Sequence, residues 1–411
     1  MRHHPKSILA ITLSIAASIW WVSIQNYSSR VDEQEYSRQE CAQDLCQVSI
    51  DLAQFAINRG DLSTAVRNFQ KAIEHKPDAL LPYQRLSQSY QEQGLLEQSL
   101  HTYYTARHAT VNFSVARSVH DSRSLLQNPL PWQGEDLAEK TLYIEADADI
   151  DDCICFARFL PALLSRGASV FCKVPDVLLS LCKNSMPAVH FFTHSSEIEL
   201  PSFDYYSALQ SIPALLKATR GSGLAIRSYL VPDVAHVAAK KSLFVVKKLW
   251  VGLWWQGAKN VTMPPSLLDT LAQLPHVQFY ALQPLSSPSP FIIDLSQHCR
   301  TLHDTAALIK NMDLVLAIES PVAHLAGAVG TPVWLLTKHT PVDWRWLVAK
   351  DGYQSAWYAG LRIFQQPKPG DWLSVVADVQ EALNEIVKTP VASLLPRTTA
   401  IAASSASGAA S

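Results

Sequence analysis

Two short segments concentrate the residue types that do chemistry. The first, Asp147-Ala-Asp-Ile-Asp-Asp, puts four carboxylates into six residues. Spaced carboxylates after an apolar strand suit magnesium or calcium. An EF-hand-like loop, however, wants glycine near Asp152 and a closing acid at its twelfth position, where Arg158 stands. A haloacid-dehalogenase-like phosphatase wants a threonine two residues beyond Asp149, and that position is Asp151. A solvated acidic turn is the plain alternative. The second segment is Glu319-Ser-Pro-Val-Ala-His-Leu-Ala-Gly-Ala-Val-Gly-Thr-Pro. Ser320 is a good N-cap and Pro321 suits the first helical position, so free backbone N–H groups and the positive end of the dipole point outward. Such an end is an anion site. Ala323, Ala326, Gly327 and Ala328 keep the helix thin against its strands, and Gly330 can close it. An ordinary packing helix with a satisfied His324 is the competing account.

Other reactive types lack a discriminating arrangement. No Ser–His–Asp triad is visible, and His298, His303 and His339 have no telling partner. Seven cysteines, at 41, 46, 153, 155, 172, 182 and 299, form no zinc spacing, and Cys153-x-Cys155 is not a redox pair. They read as buried packing residues; only Cys41 and Cys46 suggest a disulfide, which short helical spacing would strain. Trp254, Trp255, Trp334, Trp344, Trp346, Trp357 and Trp372 read as core or cleft wall, and Arg345 and Arg362 as ion pairs rather than phosphate ligands. With 34 Lys+Arg against 36 Asp+Glu there is no global field for nucleic acid, and any anion site must be local.

The elements that must carry these segments are those of an α+α/β chain. Thr141-Leu-Tyr-Ile-Glu reads as a strand, Cys153 to Arg166 as a helix ended by Gly167, and Ala168-Ser-Val-Phe-Cys-Lys-Val as a second strand. A second lobe opens near Leu249-Trp-Val-Gly-Leu-Trp, continues through Val277-Gln-Phe-Tyr-Ala-Leu-Gln and Asp313-Leu-Val-Leu-Ala-Ile, and ends in helical 371–388. Strands alternating with helices imply parallel sheets. Pro129, Pro131 and Gly134 mark 128–139 as a linker, with lobes expected at 140–245 and 246–389 and a disordered Ala/Ser/Thr-rich tail at 390–411.

Upstream, residues 7–24 form an uncharged apolar run long enough to span a bilayer, with Trp20 and Trp21 near one end. An uncleaved anchor within 1–30 is expected, followed by a polar juxtamembrane spacer at 31–46. Arg2 and Lys6 balance Arg30 and Arg38, so the charge rule assigns no side. Over 47–127 a self-similarity of 34 residues pairs Leu52 with Leu86, Gly60 with Gly94, Phe69 with Tyr103 and Ala72 with Ala106. That period resembles tetratricopeptide (TPR) repeats, in which small alanines let two helices approach and glycine turns between them. Two hairpins are few for a solenoid, so they are expected to lean on neighbouring structure or to bind a protein partner.

The segment at 319–334 resembles the signature of family-nine, heptosyltransferase-like glycosyltransferases, especially variants fused to tetratricopeptide repeats. Phe156-Ala-Arg-Phe-Leu-Pro-Ala-Leu-Leu-Ser-Arg-Gly, His303-Asp-Thr-Ala-Ala-Leu-Ile-Lys, Val342-Asp-Trp-Arg-Trp-Leu and Ser355-Ala-Trp-Tyr-Ala-Gly-Leu-Arg-Ile-Phe-Gln-Gln resemble further blocks in order, over roughly 130–388. The resemblance implies a GT-B cleft between two Rossmann-like lobes, acceptor on the first and nucleotide sugar on the second, with no metal or resident cofactor. It implies that Glu319, Ser320 and His324 contact the donor and that Asp152 stands where the family has its candidate base. There a carboxylate takes the acceptor hydroxyl's proton while the helix end stabilises the departing diphosphate.

This chain departs from that pattern at three places. Where the family has a Gly-rich loop, Asp149 and Asp151 replace both glycines, removing backbone freedom and adding charge that repels a diphosphate. Glu319 is a longer version of the usual Asp, and the usual Arg-containing segment after the first strand of the second lobe offers only Lys259. Three functions follow: a glycosyltransferase acting on a glycan, lipid or protein; a membrane-anchored TPR scaffold whose transferase-like domain is degenerate; and a metal-dependent phosphatase.

Overall fold

The computed structural model describes residues 38–93, 129–146, 149–196, 200–218, 228–244, 248–257, 262–339 and 360–388, with a few single positions between them. The chain divides into two compact units between Pro77 and Asp78.

In the first unit, α1 (Arg38–Asn58) and α2 (Leu62–His75) pack as a hairpin. Gly60 takes φ +76°, a left-handed value that glycine adopts without strain, and Asp61 caps α2 by accepting from the Thr64 amide at 3.0 Å. Ala53, Ala56, Ala65 and Ala72 are buried with Phe69, so the small side chains do bring two helices close. Helix α1 starts inside the expected spacer, because Cys46, Ser49, Ala53 and Ala56 recur at helical spacing and bury one face. Cys41 and Cys46 lie on this one helix and are not bonded, their directions differing by about 140° at 3.6 residues per turn. The apolar run 7–24 and the repeat positions Gly94, Tyr103 and Ala106 lie outside the described residues. Among the described residues no helix is long and apolar enough to cross a membrane.

The second unit begins with α3 (Leu80–Glu92) and contains two parallel sheets. The first has β1 (Leu130–Pro131), β2 (Thr141–Glu145), β3 (Ser169–Lys173), β4 (His190–Phe192) and β5 (Tyr205–Ala208) in the order β1-β5-β2-β3-β4. The second has β6 (Leu249–Trp254), β7 (Val277–Ala281), β8 (Ile292–Asp294), β9 (Leu314–Ile318), β10 (Val333–Thr337) and β11 (Leu361–Gln365) in the order β11-β10-β9-β6-β7-β8. Strands β9 and β10 are buried at every position, as the apolar run of β9 and that of β10 up to its terminal Thr337 require in a sheet covered on both faces. The helices used below are α4 (Ile150–Phe156), α5 (Asp176–Ser185), α6 (Val234–Lys241), α7 (Leu302–Ile309), α8 (Pro321–Val329) and α9 (Trp372–Lys388).

Two expectations are corrected. The stretch 128–139 is not simply a linker: Leu130 N and Trp132 N donate to Asp204 O and Tyr206 O, making β1 an edge strand, and Trp132 and Leu137 are buried in the core. Pro131 is tolerated there because only one side of an edge strand is paired. The helix expected over 153–166 is broken. It runs as α4, a 3-10 turn Ala157–Phe159 and a short helix Leu160–Leu164, since Pro161 has no N–H to give to the preceding turn. Gly167 then ends it at φ +83°.

Both sheets are doubly wound. The chain runs outward from β2 to β4, then returns to the other side of β2 with β5; it repeats this from β6 to β8, then β9. In doubly wound sheets such a reversal is where the loops at the strands' carboxyl ends diverge and form the ligand-binding crevice. Helix α4 follows β2, α8 follows β9, and the two helices pack against each other.

Candidate functional site

At the second reversal the carboxyl ends of β6 and β9 lie side by side, with Trp254 paired to Ala317. The turn after β6 comes so close to β9 that a Cβ on Gly257 would stand 2.6 Å from Glu319 O. Gln283 fastens this turn from the β7 side: its Oε1 accepts from Trp255 N at 3.0 Å and Gln256 N at 3.2 Å. Ser320 caps α8 as its sequence indicates, extended at φ −168° and accepting from Ala323 N at 3.4 Å, while its hydroxyl donates to Ile318 O at 2.9 Å. Gly330, at φ +83°, ends the helix in the left-handed cap. Glu319 is half-buried beside this cap. Lys259 lies outside the described residues.

The structure also reveals a buried cluster, drawn from segments far apart in the chain, that sequence reasoning missed. Arg158, on the 3-10 turn after α4, is buried; its Nε donates to Cys155 O at 2.8 Å, Nη1 to Trp357 O at 2.5 Å and Nη2 to Tyr229 Oη at 3.1 Å. Its guanidinium carbon lies 4.7 Å from the Tyr229 ring, 5.0 Å from Trp357 and 4.7 Å from Tyr358, a range in which aromatic faces attract cations. Burial works against its charge, but Tyr229, Tyr358 and Cys155 hold its pKa above the ordinary value. Burial likewise raises the hydroxyls of Tyr229, to about 12, and Tyr358, so both stay protonated. Tyr358 Oη shares a 2.8 Å hydrogen bond with His324 Nδ1, and the His324 ring stacks on Trp346 at 4.1 Å. His324 thus sits in an aromatic box that leads back to Arg158. Arg158 lies within a block quoted above, but its partners are remote in sequence and no local signal announces them.

Gly327 makes this arrangement possible, since a Cβ there would fall 2.3 Å from Tyr358 Cδ1. Gly327→Ala is therefore expected to lose about 1–3 kcal/mol despite the better helix propensity of alanine. Thermal unfolding of the variant checks this, and an unchanged midpoint would mean that the ring moves freely.

In the first crevice Asp149 caps α4, accepting from Asp151 N at 2.9 Å and Asp152 N at 3.3 Å, so one carboxylate of the acidic turn is engaged by backbone. Asp147 lies outside the described residues. Asp152 is 0% exposed on the helix that packs against α8, where Ser320 is 2% and His324 1% exposed. The structure therefore gathers the candidate groups at adjoining helices but covers them. Across the crevice, one residue past the Leu209 that follows β5, Gln210 is fully buried with neither amide atom bonded among the described residues. Among the described residues no three His, Cys, Asp or Glu side chains are placed to hold a metal ion.

No protein-family model matches the chain. Among curated proteins it is similar to Protein FlbA of Caulobacter vibrioides, 28% identical over 295 residues, covering 62% of this chain and 48% of FlbA. The chain spans about half the length of that curated relative. Similar solved structures include the family 9 glycosyl transferase of Veillonella parvula, with TM-score 0.43, 9% identity and coverage of 64% of this chain and 100% of that one. The ADP-heptose lps heptosyltransferase II of E. coli aligns with TM-score 0.40 and 10% identity over 59% of this chain and 99% of that one.

Proposed function

We propose that the chain is a glycosyltransferase-like protein that moves a sugar from a nucleotide-sugar donor to a glycan, lipid or protein acceptor. The observation that carries this reading is the meeting of two doubly wound lobes through the helices that leave their switch points, one led by the acidic turn and the other capped by Ser320. The amides and dipole at the start of α8 hold the donor's diphosphate, with Glu319 at its sugar or ribose and Lys259 as a further cation. Asp152 takes the acceptor's proton as the sugar–phosphate bond breaks, and the helix end stabilises the leaving diphosphate. His324, held by Tyr358 and Trp346, positions this helix end.

In the same proposal residues 7–24 anchor the chain in a membrane, and the repeats over 47–127 bind a protein partner. A second reading, a scaffold with a silent transferase-like domain, is favoured by the complete burial of Asp152. Calorimetry with ADP, UDP, GDP and CDP tests the donor site. Ser320→Leu, which removes the cap and crowds the helix start, is expected to weaken the nucleotide that binds by about 1–3 kcal/mol, and His324→Ala to weaken it indirectly by freeing the helix end that Tyr358 and Trp346 hold through this ring. If the folded chain binds none of the four, the donor assignment fails and the scaffold takes first place.

A further inference from the structure

The second-lobe crevice has a member that no sequence motif singled out. Gln283 stands just beyond β7 and is 3% exposed. Two backbone donors, Trp255 N and Gln256 N, converge on its Oε1, which fixes the amide's orientation, because an NH2 group in that place would face two donors. The carboxamide therefore reaches from β7 toward the end of β6, the strand at which the winding reverses. Its Nε2 is buried there with no hydrogen-bond partner among the described residues. On the far flank of the same crevice Thr337 ends β10; it is 1% exposed and its Oγ1 also has no partner among the described residues. Buried polar atoms are nearly always satisfied, so each exception asks for a cause, and these two flank one switch point, where a ligand would supply it.

We propose that Gln283 is a ligand-binding residue of this crevice: Oε1 holds the 255–257 turn while Nε2 donates to an oxygen of a bound nucleoside diphosphate. The inference rests on the donor-site reading above and adds a neutral donor to a site from which the family's Arg is missing. A neutral N–H2 recognises an oxygen of the phosphates, ribose or base equally well; its fixed position, rather than charge, gives it selectivity.

The test uses the full chain and calorimetry with ADP, UDP, GDP and CDP, then with the matching nucleoside and with pyrophosphate. Gln283→Glu keeps an oxygen for both backbone donors and removes only the N–H2. It is expected to weaken the binding nucleotide about tenfold or more with little change in unfolding midpoint, whereas Gln283→Met also lowers the midpoint by freeing the turn. Because the new carboxylate also repels phosphate through space, the measurement is repeated near about 0.5 M salt, where that repulsion is screened and a lost hydrogen bond is not. A loss shared by the nucleoside puts the oxygen on ribose or base; one shared by pyrophosphate puts it on the diphosphate. Wild-type binding with Gln283→Glu within about twofold, or a loss that vanishes in salt, overturns this inference and leaves the donor site standing. Binding of none of the four nucleotides by the wild type defeats the donor reading and this inference with it.

Discussion

Replacing Arg158 by methionine is expected to destabilise the second unit by about 3–5 kcal/mol, since the side chain's volume is nearly kept but its donors vanish. Cys155 O, Trp357 O and Tyr229 Oη each lose a bond from a buried cation, and an acceptor left unsatisfied in the interior costs about 1–3 kcal/mol. Three aromatic faces lose their cation as well. Arg158→Lys separates geometry from charge: lysine keeps the charge but cannot direct donors along three fixed lines, so about half the loss should remain. Denaturant unfolding followed by tryptophan fluorescence reads both, with Trp357 inside the cluster. Should Arg158→Met unfold at the wild-type midpoint, the guanidinium would not be what ties α4 to the segment around Tyr358.

The second large effect is on turnover. If the chain is the active transferase proposed above, Asp152→Asn, which preserves shape, is expected to lower the rate of nucleoside diphosphate release by at least about a hundredfold, the contribution of a positioned base, while nucleotide affinity changes little. That split between rate and binding separates a base from a donor ligand. Asp152 is fully buried in this structure, so the base role requires a conformation in which an acceptor hydroxyl reaches it. Turnover that survives Asp152→Asn removes the base role. A wild type that binds nucleotide without turnover would support the silent scaffold instead.

The segments with the clearest local chemistry were readable in advance because their causes lie within a few residues. Ser320 and Pro321 start α8 and Gly330 ends it through contacts inside that helix, and the apolar runs at 249–254 and 314–318 fold as strands because no solvated arrangement hides them. Gly60 and the alanines of the first hairpin follow the same logic. Where the reading failed, a distant partner decided. Residues 130–132 look like a Pro-rich linker until Asp204 and Tyr206 offer them carbonyls to pair with.

The sequence by itself determined that this is a chain with a helical hairpin and parallel α/β sheets, in which an acidic turn and a capped small-residue helix carry the candidate groups. Only the tertiary structure decided the strand orders, and so which turns share a crevice, because winding direction is set by pairing between strands far apart in the chain. It also decided that Arg158 reaches Tyr229 and Trp357, 71 and 199 positions away, and that Gln283 points at the turn after β6. A buried polar group is placed by whichever partners the fold brings to it, and those partners have no fixed spacing in sequence.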